Sequence, residues 1–116
     1  MQEKSLLVQF LGDSPFTKVI DFLLENRPFE ASKVEVAKAV GLSRATVFKI
    51  WKILEAYDIV KEYKRYGKIK LYVLNTESNL IKDLIKLESD LIEKRAQEIA
   101  KQHKMTITEH KIALTA

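Results

Sequence analysis

The 116-residue chain contains no cysteine. That excludes disulfide frameworks, thiolate catalysis and cysteine-ligated zinc, and it fits a reducing compartment, of which the cytoplasm is the simplest. There are two histidines, His103 and His110, both close to the C-terminus. No glycine-rich loop is present to cradle a phosphate, and no carboxylate pair stands in an apolar setting, so neither enzymatic activity nor a cofactor is expected. Long apolar runs are missing as well. Met1-Gln2-Glu3-Lys4 leads only into Leu6 to Leu11, broken by Gln9, which is far short of a signal core or a spanning helix and implies no membrane role.

Glycine and proline are scarce, three and two residues, and each marks a boundary. Leu6 to Leu11 reads as a short strand ended by Gly12-Asp13-Ser14. Ser14 or Asp13 then caps a helix with Pro15 in its first turn, where a missing N–H costs nothing. Phe16, Val19, Ile20, Leu23 and Leu24 recur at helical spacing until Asn26-Arg27-Pro28 ends the run. Ser32 followed by Glu35 is a capping box, so a second helix starts at Lys33 and stops at Gly41, which tolerates the left-handed conformation of a helix end. Ser43 caps a third helix, Arg44 to about Tyr57. The runs Ile59 to Lys64 and Ile69 to Leu74 are β-prone and are joined by a turn at Arg65-Tyr66-Gly67-Lys68, a hairpin or wing. A last helix runs from Ser78 or Asn79 to near Gln102, with neither glycine nor proline inside it.

Three segments follow: residues 1–76 as a winged helix-turn-helix domain, 77–102 as a C-terminal helix, and 103–116 as a tail. The tail reads equally as a strand, a helix extension or a disordered end. With 47% hydrophobic and 31% charged residues, one core can form without staples. The expected fold class is α+β, mainly α: a winged helix-turn-helix with a long C-terminal dimerisation helix.

The helix-turn-helix carries the functional signal. With Lys33 as the first position, the motif needs a small residue at the fifth, a turn glycine at the ninth, and apolar residues at the fourth, eighth, tenth, fifteenth and eighteenth. Ala37, Gly41, Val36, Val40, Leu42, Val47 and Ile50 supply them. Ala37 lets the second helix approach closely, Gly41 makes the turn, and the rest fix the crossing angle. If Val47, Ile50, Trp51 and Leu54 face inward, helical geometry turns Arg44, Ala45, Phe48, Lys49 and Lys52 outward.

That outer face suits DNA. Ser43 and the helix N-terminus can meet a phosphate, Arg44 and Lys49 can reach guanine O6 and N7, and Ala45 and Thr46 are short enough for a thymine methyl. Phe48 either packs on sugars and base edges or is partly buried by the first helix. The wing, with Lys64, Arg65, Tyr66, Lys68 and Lys70, would lie on the backbone or place Arg65 in the minor groove. From Lys33 to Lys70 the chain is net +6 although the whole is +4, so the basic excess coincides with the motif and calls for a polyanion.

The run Gly41-Leu42-Ser43-Arg44-Ala45-Thr46-Val47-Phe48-Lys49-Ile50, followed by Leu54-Glu55 and Ile59-Val60-Lys61, resembles archaeal winged-helix transcriptional regulators of the broad MarR/ArsR-like group. The resemblance spans roughly Leu7 to Leu87. It implies sequence-specific binding of double-stranded DNA, usually as a homodimer, with the helix from Arg44 reading bases and the wing near Arg65 holding the backbone. The metal-binding cysteines of ArsR-type proteins are absent, so no metal sensing carries over. Winged helices also serve as RNA-binding or protein-interaction modules, but these need not keep basic residues on both recognition helix and wing.

In the last helix, Leu80, Leu84, Leu87 and Leu91 form one apolar line and Ile81, Ile85, Ile92, Ala96 and Ile99 another. The expectation is that the leucine line meets the domain and the second line meets a partner copy. Glu88, Arg95 and Glu98 interrupt the heptad seam, which argues against a long coiled coil. His103, Glu109 and His110 are surface groups on this reading, and no metal is expected.

Overall fold

In a computed structural model of the protein, residues 4–28 and 30–115 are described, the side chains of 106–115 excepted. The element order is α1 (Leu6–Leu11), α2 (Pro15–Glu25), α3 (Lys33–Val40), α4 (Arg44–Ala56), β1 (Val60–Tyr66), β2 (Ile69–Leu74) and α5 (Asn79–Thr115). Helices α1 to α4 and the base of the hairpin enclose one core, and α5 crosses it and continues outward, giving extents of 74 × 30 × 21 Å.

Leu6–Leu11 is a helix, not the strand its composition suggests. Ser5 Oγ accepts from the Val8 N–H at 3.1 Å and Gly12, at φ 101°, ends the turn. Leu7 and Val8 are buried. Five apolar residues and one glutamine have no periodicity that separates strand from helix; a serine cap and a core on one side decide it here. Ser14, rather than Asp13, caps α2, accepting from the Thr17 N–H at 3.1 Å, with Pro15 at the start of the helix.

Both ends of the helix-turn-helix follow local rules. Ser32 Oγ accepts from the Glu35 N–H at 3.2 Å, while Glu35 Oε1 accepts from the Ser32 N–H at 3.1 Å. Gly41 has φ 71°, and the Leu42 N–H reaches back to the Ala37 carbonyl at 3.0 Å, so α3 closes in a Schellman turn. Helix α4 closes in the same way with a costlier residue: Asp58 takes φ 55°, and the Ile59 N–H bonds the Leu54 carbonyl at 2.8 Å.

The hairpin is antiparallel, with Val60 opposite Leu74 and Tyr66 opposite Ile69, and a bulge at Tyr63 between Glu62 and Lys64. Its turn is only Gly67-Lys68, so Arg65 and Tyr66 belong to β1 and the tip is tighter than expected. Ala31 exchanges backbone hydrogen bonds with Tyr72 at 3.0 and 2.8 Å, tying the entry to α3 onto β2. These bonds fix the wing beside the helix-turn-helix.

Helix α5 runs to Thr115, so the expected tail from 103 is a helix extension as far as that residue. Its 37 residues span about 55 Å at 1.5 Å per residue. The apolar lines divide differently from the expectation. Ile81 is fully buried in its own domain, and Leu84, Ile85, Leu87 and Leu91 also pack on that core, whereas Leu80 is exposed. Ile92, Ala96 and Ile99 are exposed. The change of environment therefore falls along the helix rather than around its circumference: Ile92 still borders Leu6 and Leu7 at the edge of the domain, and among the described residues nothing buries the apolar side chains beyond it. Ile81 is committed to the core and leaves the set available to a partner.

Candidate nucleic-acid interface

Helix α4 is anchored by its inner face. Val47, Ile50, Trp51 and Leu54 are buried, and Trp51, with no exposed surface, meets Tyr72 edge-on at 5.3 Å between ring centroids. Such a contact adds about 0.5–1.5 kcal/mol to the area buried. Burying Trp51 settles the position of Phe48, one turn earlier: it is 42% exposed. It is not covered by α2 but stands on the outer face, with the Lys33 ammonium 5.3 Å above its ring.

Arg44, Ala45, Lys49 and Lys52 are exposed on the same face, and Thr46 is half-buried. Among the described residues, no carboxylate forms an ion pair with Arg44, Lys49 or Lys52. Their charge is thus open to a ligand. The role expected of the Ser43 hydroxyl requires correction: it accepts from the Thr46 N–H at 3.1 Å and donates to Thr46 Oγ1 at 2.8 Å. Capping occupies it. The donors left at the start of α4 are the Arg44 and Ala45 N–H groups, which with the helix dipole still suit a phosphate.

On the wing, Lys64, Arg65, Tyr66 and Lys68 are all exposed. Lys64 lies 5.8 Å from the ring centroids of both Tyr63 and Tyr66. A hydrogen bond to the Tyr66 phenol, ahead of charge effects from Tyr66, Glu30 and Tyr63, raises its pKa above the ordinary lysine value, so it remains a cation. Arg65 is less free than expected, since its Nε donates to Glu62 at 3.2 Å. An exposed pair of this kind is worth about 0–1 kcal/mol and can be exchanged for a phosphate.

Between the start of α3 and the wing, with Phe48 of α4 at its side, runs an open groove of about 610 Å³, lined by residues 32–35, the acid Glu35 among them, and by Phe48, Lys68, Ile69, Lys70 and Tyr72. Lys33 and Ile69 were not anticipated. Lys33 is the first residue of α3, and its ammonium also lies 5.8 Å from the Tyr72 ring and 3.9 Å from Glu55. No spacing in the chain reveals this, because helix α3, helix α4 and strand β2 meet only in the fold.

The ferric uptake regulator family profile matches residues 18–115, most of the chain. The chain belongs to the ferric uptake regulator family. It is a winged-helix, DNA-binding transcription regulator. Among solved structures, it is similar to MepR, a transcription regulator of the Staphylococcus aureus multidrug efflux pump MepA, with a TM-score of 0.61, 17% identity, and 94% of this chain against 83% of that one. A single-substitution MepR mutant bound to an oligodeoxyribonucleotide gives 0.63 and 18%, covering 94% of this chain and 84% of the other. A double mutant of Lactococcus lactis ZitR in its apo form gives 0.55 and 16%, covering 85% and 80%. At these identities the likeness concerns the fold. No curated protein matches the chain by sequence.

The family description speaks of ferric uptake, but the donor set for a metal is not assembled among the described residues. No three His, Asp or Glu side chains converge there and the chain has no cysteine. Glu109 and His110 fall outside the residues whose side chains are described. Likewise, among the described residues no helix is long and apolar enough to cross a membrane.

Proposed function

We propose that the protein binds a specific double-stranded DNA site as a homodimer and represses transcription by occluding that site. The observation that carries this reading is the pairing of a buried inner face on α4 with an outer face whose three cations, Arg44, Lys49 and Lys52, have no acid partner among the described residues. Cations at this spacing on a rigid helix match base edges and phosphates in a major groove. MepR bound to an oligodeoxyribonucleotide supports the same use of the fold. A random-library selection for duplex DNA tests the reading and returns the site and its symmetry together. Equal affinity of the wild type and an Arg44/Lys49/Arg65 triple alanine variant for the recovered duplex would overturn it.

The dimer rests on α5. Ile92, Ala96 and Ile99 are exposed at helical spacing, Ile92 at the edge of the domain beside Leu6 and Leu7 and the other two farther along the helix. A second copy of the same helix is the partner that symmetry supplies. Two α4 helices would then enter successive major grooves about 10 bp apart. Ile92→Glu should give monomers in sedimentation, and an unchanged dimer mass would remove this part of the reading. We place the protein in the cytoplasm, acting by binding and without catalysis. Within winged-helix regulators we keep it beside the archaeal MarR/ArsR-like group, on the strength of residues 41–50.

A further inference from the structure

The tip of the wing is apolar where a loop is ordinarily polar. Tyr66 and Ile69 are each 58% exposed and stand directly opposite one another, bracketing the two-residue turn Gly67-Lys68. Directly opposed residues share a face of the hairpin. The bulge creates this pair: because Tyr63 is an extra residue, Lys64 and Tyr66 register with Leu71 and Ile69, while Arg65 registers with Lys70. Without the bulge the alternation would carry Tyr66 to the opposite face. Four cations, Lys64, Arg65, Lys68 and Lys70, surround the pair, all exposed. A basic rim of this kind repels a second copy of itself and draws a polyanion. Ile69 also borders the groove that Phe48 enters from α4, so the tip and the recognition helix address one ligand.

We propose that Tyr66 and Ile69 form an apolar wedge that enters the minor groove beside the bound α4 and partly unstacks a base step, bending the duplex. This rests on the DNA-binding reading above. The size argument favours bending over passive contact. A B-form minor groove is about 6 Å wide, and the two strands of the tip are about 4.8 Å apart before their side chains are added. The pair fits only where the groove is opened, which is what an inserted apolar side chain does when it kinks DNA toward the major groove by about 20–90°. The surrounding cations hold the phosphates on either side of the opening. Pyrimidine–purine steps unstack most easily, so the selected site should carry one where the wing lands, outside the bases read by α4.

The test is end-to-end energy transfer on the duplex recovered by random-library selection, labelled at both ends, with the wild type, a Tyr66→Thr/Ile69→Thr double variant and Tyr66→Phe. Threonine keeps the strand preference at two exposed positions, and a circular dichroism spectrum matching the wild type checks the fold. The wild type should bend the duplex by tens of degrees. The double variant should lose at least half of that bend and bind about tenfold more weakly, while its salt slope is unchanged because no cation is removed. Tyr66→Phe should bend the duplex as the wild type does. A straight wild-type complex, or an equal bend in the double variant, overturns the wedge and leaves the DNA-binding reading standing. If the selection recovers no duplex for the wild type, both fall.

Discussion

The side of the domain built from α1, α2 and the start of α5 pairs most of its cations internally, while the side built from α4 and the hairpin leaves most of its cations open. On the first side, Lys4 and Lys18 flank Asp13 at 3.1 and 3.5 Å, Arg27 meets Glu88 at 3.4 Å, and Lys86 meets Asp90 at 3.1 Å. On the second, Arg44, Lys49, Lys52, Lys68 and Lys70 make no ion pair among the described residues, and Arg65 holds only an exposed one. Net charge does not separate the two sides as sharply as partnering does. A charge satisfied by its own chain contributes to holding helices together, whereas one left in water is available for exchange with a phosphate and its released counterions.

The largest expected effect tests the open side. Replacing Arg44, Lys49 and Lys52 together by alanine should weaken binding to the selected duplex by a hundredfold or more, at about 1–3 kcal/mol for each base-reading contact. Thermal stability should hold within about 0.5 kcal/mol, as for surface changes away from caps and core. Melting and titration on one preparation check both. A stability loss as large as the binding loss would mean that these cations are structural and that the two sides do not differ.

Arg27→Ala probes the closed side and should do the reverse. Its guanidinium donates to the Leu24 carbonyl at the end of α2 and to Glu88 on α5, so it joins two helices with both partners partly buried. We expect a loss of about 1.5–3 kcal/mol by denaturant titration, the range for hydrogen bonds to charged groups. DNA affinity, measured where both proteins are folded, should stay the same.

Smaller effects follow from two carboxylates shifted in opposite directions. The hydrogen bond from Lys4, with charge effects from Lys18 and Lys4, outweighs desolvation and holds Asp13 below its ordinary value of 3.8. A depressed folded-state value stabilises the fold above the unfolded value and is lost as pH falls through the folded one. Asp13→Asn should therefore melt below the wild type at pH 7 and level with it near pH 2. Glu25 is raised from 4.5, first by burial and then by Asp21 and Glu88, and the nearby Asp21 carboxylate has one buried oxygen without a hydrogen-bond partner. Here the protonated form is favoured, so its contribution is fullest below 4.5 and is lost as pH rises through the folded value. Glu25→Gln should thus raise the melting temperature slightly at pH 7 and leave it unchanged near pH 3. A decrease at pH 7 would show that Glu25 has a favourable role in the closed network.

Much of the fold was legible in the chain because it depends on short-range chemistry. The reciprocal bonds of Ser32 and Glu35, the left-handed Gly41 and the Ser43 cap each require only a few consecutive residues. The outward turn of Arg44, Lys49 and Lys52 follows from 3.6 residues per turn once Val47, Ile50 and Leu54 are placed inside. Where the reading failed or left alternatives open, a partner far away in sequence took part in the decision. Leu6–Leu11 is helical because Leu7 and Val8 find a core; Phe48 is exposed because Tyr72 of the wing helps to hold Trp51 inside. The tip of the hairpin shortened to Gly67-Lys68 when the bulge at Tyr63 reset the register, which no alternation of β-prone residues reveals.

The long helix shows the same boundary most plainly. Its apolar lines and its lack of glycine and proline establish from sequence alone that a helix begins near Asn79 and is amphipathic, since both properties belong to the local chain. Which residues that face buries was decided by the extent of the domain beneath it. Ile81, Leu84, Ile85, Leu87 and Leu91 lie over packed helices, Ile92 sits at their edge, and Ala96 and Ile99 extend past them. Periodicity sets the direction in which a side chain points; only the tertiary structure supplies, or withholds, a surface for it to meet.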